Sequence, residues 1–349
     1  MQHPIHVPRS LIVSCLLGTG LLLQAEQTGL GSSSTESEAI ATDMAKQAEK
    51  LIASFDAGQR AKAVFTLDDK VREAWHFFPN RPSRAGLPLN ALNPEQRAGV
   101  MELLQQLLTS QGFDEQEKLR IIHGLKQDMA APDNPRHLYF IAFFDQPSPR
   151  KTWAWRYEGH HLSLNVTLGG GQHFSVTPSF WGAGPVKVTQ GARKGERVFA
   201  AELDSAQELA RSFTPAQRVL AAPEGLRGGP GTSPALVRGA YENQRGIPFQ
   251  QLDPAQQVLL QKLVLAYAGK YRPGILREIN RRKGILDTAS MSFACSGEFD
   301  GILNRYKIFT RDYLIEMSTG NGNHVHSAWR DFDGDFGRDL IAEHLETAH

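Results

Sequence analysis

Apolar residues along this chain keep two periods in turn, one suited to helices and one to strands. Met44, Ala48, Leu51, Ile52 and Phe55 recur at the 3.6-residue spacing of a helix face. Asn93-Pro94 then caps and opens a second helix whose inward face is Val100, Leu103, Leu104, Leu107 and Leu108. Asp114 to Met129 predicts a third, with Asp114 as N-cap and Leu119, Ile122 and Leu125 inward. The pattern next shortens. Residues 137–144 (HLYFIAFF) and 152–157 (TWAWRY) are aromatic and β-branched between Pro and Gly turns, and 161–167 (HLSLNVT) alternates. These predict a meander of antiparallel strands. A loop-rich stretch from Pro178 to Gly195 follows, then a helix from Ala201 to Phe213.

The second half runs in the same order. Residues 86–96 (GLPLNALNPEQ) align without gaps on residues 246–256 (GIPFQQLDPAQ), 160 positions further on. Both lead into leucine-rich helices, Val100 to Leu108 and Leu259 to Tyr267. Strands are then predicted at Arg305–Phe309, Tyr313–Met317 and His324–Trp329, and a last helix from Gly337 to Glu346, capped by Asp335 with Leu340, Ile341 and His344 inward. Helices then strands, twice, argue for an α+β fold with an internal duplication: repeats of residues 44–200 and 201–349 around a pseudo-twofold axis. A cleft is expected where the two copies meet.

The N-terminus departs from both patterns. Arg9 supplies a positive start, Leu11 to Leu23 an apolar run of 13 residues, and Ala25 a small residue at which a peptidase can cut. That run is too short to span a bilayer core of about 30 Å. It reads as a signal peptide over residues 1–25, implying a periplasmic or secreted protein with no integral membrane span after cleavage. Cys15 comes too early in the run for a lipoprotein box. Residues 26–43 are small and polar and read as a flexible linker to a single domain over residues 44–349.

Composition narrows the partners. Lys plus Arg (38) against Asp plus Glu (37) gives no electrostatic case for nucleic acid. The two cysteines, Cys15 and Cys295, make no disulfide framework, and Cys295 is expected buried and inert.

Histidine carries the candidate chemistry. His160-His161 lies in the first meander, and His324, His326 and His344 near the C-terminus. Side chains at i and i+2 of a strand share a face about 7 Å apart, so His324 and His326 can address one metal ion. Glu316, across the Gly320-Asn321-Gly322 turn in an otherwise apolar run, is the expected carboxylate ligand. Two histidines and a carboxylate with open positions suit zinc or a non-haem iron. His160 or His161 is the expected fourth ligand or general base. Adjacent strand residues face opposite ways, so only one of the two is expected in the cleft. Asp331 is expected to orient a histidine through its free ring nitrogen. Asp331 to Asp335 (DFDGD) misses a calcium loop, because position 6 is Phe336. The serines lack a G-x-S-x-G setting, and the runs at residues 169–171 and 228–231 are glycine turns without P-loop or Rossmann spacing.

Residues 153–165 (WAWRYEGHHLSLN), 177–185 (TPSFWGAGP), Glu202, Gln217-Arg218, 246–248 (GIP), 313–316 (YLIE) and 324–331 (HVHSAWRD), with 335–337 (DFG) and His344, resemble family 3500 of the domains of unknown function. The likeness covers about residues 45–346. It implies that the whole of this region is one unit and implies no activity, cofactor or substrate. Trp181 stands where the family pattern suggests a smaller residue. Two functions are therefore expected to compete: an exported metal-dependent hydrolase or oxidoreductase, and an extracytoplasmic protein that binds a metal or small ligand without catalysis.

Overall fold

The computed structural model describes residues 34–79, 84–124, 139–319 and 322–347. The expected signal peptide, residues 26–33 of the expected linker, the third helix beyond Gly124, the strand start at His137 and the side chain of His344 lie outside these described residues. The first half contains α1 (Ser34–Ala53), α2 (Ala57–Ala63), β1 (Val64–Phe65), β2 (Leu87–Pro88), α3 (Pro94–Leu107), α4 (Ser110–Gly124), β3 (Phe140–Phe144), β4 (Trp153–Gly159), β5 (Leu162–Gly169), β6 (His173–Ser175) and β7 (Ser179–Ala183). The second half contains α5 (Ala200–Ser212), α6 (Pro215–Ala221), β8 (Ile247–Pro248), α7 (Pro254–Ala268), α8 (Pro273–Lys283), β9 (Ser292–Gly297), β10 (Leu303–Phe309), β11 (Tyr313–Thr319), β12 (Val325–Asp331) and α9 (Arg338–Thr347). No helix among the described residues is long and apolar enough to cross a membrane.

The strands form one sheet in the order β1-β3-β4-β5-β7-β12-β11-β10-β9-β8, with β2 beside β3 and β6 beside β5. Among the described strands only β1 runs parallel to its neighbour. The join between the halves is β7, which pairs antiparallel with both β5 and β12. It lies inside the stretch expected to be loop, because Pro178, Gly182, Gly184 and Pro185 punctuate it.

Helices cover one face of the sheet. Trp153, Trp155, Tyr157, Leu164, Val166, Ile315, Met317 and Trp329 point there into the main core, with Leu103, Leu104, Leu107, Leu263 and Val264 from α3 and α7. Two helix starts follow the sequence signals, whereas α4 begins at Ser110, ahead of the expected cap Asp114, because the Thr109 hydroxyl accepts the Gly112 N–H at 3.2 Å. Asn93 accepts the Gln96 amide N–H at 2.8 Å while the Gln96 side chain accepts the Asn93 N–H at 3.0 Å. Asp253 and Gln256 repeat this at 2.9 and 3.0 Å. Gln96 also donates to the Ser54 carbonyl and Gln256 to the Ser212 carbonyl, so each cap ties two helices together. The first helix begins at Ser34, ahead of Met44, because Ile40 and Ala41 continue its buried stripe. Residues 34–43 of the expected linker are therefore helical.

The opposite face is polar, yet it too is buried. Ser163, Asn165, Arg156, Glu158, Lys307, Glu316 and Arg330 are each 5% exposed or less, so the alternation in β5 does not mark a face in water. Two segments cover it. Trp75 and Phe77 pack on Phe180, Ala328 and Phe336, and Leu236 and Tyr241 pack on Phe309, Leu314 and Phe332. Burying charge requires partners, and they are present: Glu158 meets Arg84 and Arg156, Arg330 meets Asp335, and Lys307 meets Glu316.

Candidate metal centre

On this polar face three imidazoles converge. His160 and His161 form the two-residue turn between β4 and β5, rather than lying in a strand. His161 takes φ of 61°, a left-handed conformation uncommon outside glycine, though His visits it more than most residues. Its backbone is clamped: the N–H donates to the Phe77 carbonyl at 3.1 Å, and the carbonyl accepts from the Gly182 N–H at 2.7 Å. The covering segment and β7 therefore hold the turn in place.

His324 stands just before β12 and His326 within it, one pleat apart on the polar face. The Nε2 of His161 lies 2.9 Å from Nε2 of His324 and 3.2 Å from Nε2 of His326. Nitrogens bound at about 2.0 Å to a tetrahedral ion stand about 3.3 Å apart, close to the two separations from His161, and the ligand atoms of all three histidines lie within 4.8 Å of one another. An imidazole nitrogen offers either one proton or one lone pair. Three of them meeting tip to tip are poorly served by shared protons and well served by a single cation.

The space for these rings comes from β7. Gly182 is directly opposite His326, and a Cβ there would sit 3.3 Å from that ring. A Cβ on Gly184 would sit 3.1 Å from the His324 ring. Alternating glycines thus give the imidazoles the volume that side chains would fill. Phe77 and Phe180, stacked with centroids 3.9 Å apart, form an apolar wall, with Phe77 4.7 Å from His326. Burial, helped by His324, pushes the His326 imidazole down to about 4, leaving its ring neutral above that pH and able to bind an ion. Beyond the histidines opens a cavity of about 320 Å³ lined by Gly228, Gly229, Arg305, Ser318, Thr319, His324 and His326.

The remaining expected residues lie elsewhere. The His160 ring lies tilted by 30° against His161 with centroids 3.9 Å apart, and its carbonyl accepts from the Tyr139 hydroxyl. The argument that adjacent histidines diverge does not apply to a turn, and both rings lie together. Glu316 shares the face of His326 but pairs across to Ala328, one step along the sheet, and its carboxylate engages Lys307 at 3.3 Å. Its burial does require a partner, and that partner is an ammonium group. Asp331 has the opposite parity on β12, so it points to the helix side. There it binds Lys283 at 2.5 Å and accepts from the backbone of Asp333 and Gly334. Asp335 does not cap the last helix; it is buried against Arg330, and burial pushes its carboxyl up to about 6. Trp181, the bulky residue, is buried on the helix side with the Lys270 ammonium over its ring.

Sequence reading missed the glycines of β7, the aromatic wall and Arg305. The spacing of Gly182 and Gly184, two apart like His324 and His326, was the available signal. Residues 228–231, expected to be a turn, run without a turn or other regular structure, and Gly229 packs so closely on Ser318 that a Cβ would lie 2.5 Å from its hydroxyl, which makes this segment the roof of the cavity.

Among the described residues His161, His324 and His326 are the group able to hold a metal ion. No curated protein and no solved structure matches the chain. A family model described as a protein of unknown function (DUF3500) matches residues 37–338, and the chain belongs to that family.

Proposed function

We propose that this is an exported, metal-dependent enzyme whose centre is His161, His324 and His326. The observation that carries the reading is the meeting of three Nε2 atoms, contributed by chain segments more than 160 residues apart, at 2.9 and 3.2 Å beside a cavity. A set of three imidazoles leaves positions open for water or substrate. Zinc would supply a Lewis acid and a nucleophilic water near neutral pH, suiting ester or amide hydrolysis, and iron would supply redox chemistry. The protein's own part is to hold three neutral donors in fixed directions. Phe77 and Phe180 keep water from one side, and the adjacent His160 ring limits rotation of His161. Glu316 and Asp331 belong to supporting ion pairs in this reading.

Export rests on the N-terminal pattern, with cleavage near Ala25 and a periplasmic or secreted location, leaving one unit made of two repeats. The duplicated construction is supported by the paired capping boxes of Gln96 and Gln256 with their equivalent carbonyl partners. It is also supported by the short strands Leu87–Pro88 and Ile247–Pro248, each laid antiparallel on β3 and β9 respectively. On this proposal β7 and β12 meet near a pseudo-twofold axis and the metal lies at the junction.

Metal analysis of the purified protein is the test. One equivalent of transition metal, lost in His161→Ala and in His324→Ala/His326→Ala while Glu316→Gln retains it, supports the reading. Equal metal content in all variants removes it. Metal retention without turnover of any ester, amide or oxidisable substrate would favour capture over catalysis.

A further inference from the structure

The polar face matches nearly every buried cation with a carboxylate. Arg84 and Arg156 share Glu158, Arg330 has Asp335, and Lys307 has Glu316. Arg305 on the same face is half-buried and differs in having no carboxylate. Its Nε is buried without a hydrogen-bond partner, as are those of Arg84 and Arg156, but among the described residues its guanidinium, unlike theirs, makes no ion pair. A buried guanidinium donor left unmatched is unfavourable, and its planar fork is shaped for a carboxylate.

Its position gives that mismatch a meaning. Arg305 pairs with Ser318 across the sheet, and Ser318 pairs with His326. Arg305, Ser318 and His326 therefore form one row on one face, with Arg305 two strands from the histidine. At about 4.8 Å per strand the two Cα atoms stand about 10 Å apart. All three line the same cavity, roofed by Gly228 and Gly229. The guanidinium is the one permanently charged group among the residues lining it, so this end of the cavity matches a single negative charge rather than a dianion.

We infer that Arg305 is a substrate-binding residue and that the substrate is a carboxylic acid. Its carboxylate docks bidentately on the Arg305 guanidinium, and its reacting group extends over Ser318 to the three histidines. This rests on the metal centre proposed above, and it adds the substrate class and the direction in which the substrate lies.

The test uses the full protein loaded with cobalt(II), whose visible spectrum reports on anions reaching the metal. Acetate is titrated against malonate, succinate and glutarate, which carry a second carboxylate at increasing reach. The expected result is that at least one diacid binds tenfold or more tighter than acetate. Arg305→Gln should abolish that advantage while leaving cobalt content and acetate affinity within twofold. Ser318→Val narrows the path between the two ends and should produce the same loss. Diacids that bind no tighter than acetate, or an advantage that survives Arg305→Gln, would overturn the inference while leaving the metal centre intact. Failure to take up cobalt at all would instead remove the metal centre. The Arg305 subsite is then read by calorimetric titration of the metal-free protein with the same acids, where Arg305→Gln must still weaken binding tenfold.

Discussion

Acidification should destabilise the metal-free protein in a way that reports on His326 itself. Burial and the neighbouring His324 push this imidazole down to about 4, against about 6.5 in an unfolded chain. Between those values the unfolded chain carries a proton that the folded site refuses. Stability from this group is therefore fully present above pH 6.5 and declines as pH falls towards 4. The two values imply a loss of about 2 kcal/mol between pH 7 and 5, and about 3 kcal/mol by pH 4. Asp335 opposes this slope. Its carboxyl is pushed up to about 6 by burial, so the folded state takes up that proton first and gains stability as pH falls. A comparison of chelator-treated wild type with His326→Gln cancels Asp335, which is common to both. Urea unfolding at pH 7, 6 and 5 should show wild type losing about 2 kcal/mol more than the variant. That is about 0.7 M in the midpoint difference at a slope of about 3 kcal/mol per M. A difference that stays flat from pH 7 to 5 would refute the claim that the pocket holds His326 neutral.

Other consequences can be checked singly. Gly182→Ala places a methyl 2.9 Å from the Val325 carbonyl and 3.3 Å from the His326 ring; metal affinity measured by chelator competition should fall at least tenfold in a folded protein. Lys307→Met leaves Glu316 buried without its counter-ion and should cost about 3–5 kcal/mol in chemical denaturation, most of it recovered in Lys307→Met/Glu316→Leu. If the halves are copies, Gln96→Ala and Gln256→Ala should each cost about 1–2 kcal/mol and add in the double variant, because each removes the same cap and the same helix tie.

The two helices that open the repeats were legible because their starts are chemical. Asn93-Pro94 and Asp253-Pro254 announce a cap whatever the tertiary context, and the apolar stripe after each leaves one way to face the core. Histidines 324 and 326 were legible as neighbours because strand parity is fixed by the backbone. What parity could not reveal was the partner on the third side. His161 reaches them only because a two-residue turn in a left-handed conformation swings it over β7, and β7 itself resembles a loop on account of the glycines that admit the rings. Glu316 and Asp331 show the complementary limit. Their burial was readable from apolar surroundings, but Lys307 on the neighbouring strand and Lys283 on α8 are brought to them by tertiary packing. The covered polar face was equally hidden, since alternation in β5 does not say whether water or the segment around Trp75 meets the polar side.

The most direct measurement is anomalous X-ray scattering from crystals of the protein grown with zinc, recorded above and below the zinc edge. The account predicts one strong peak about 2.0 Å from Nε2 of each of His161, His324 and His326, with further coordination facing Arg305. Density with the three rings turned apart, and zinc absent or bound at surface carboxylates, would contradict it.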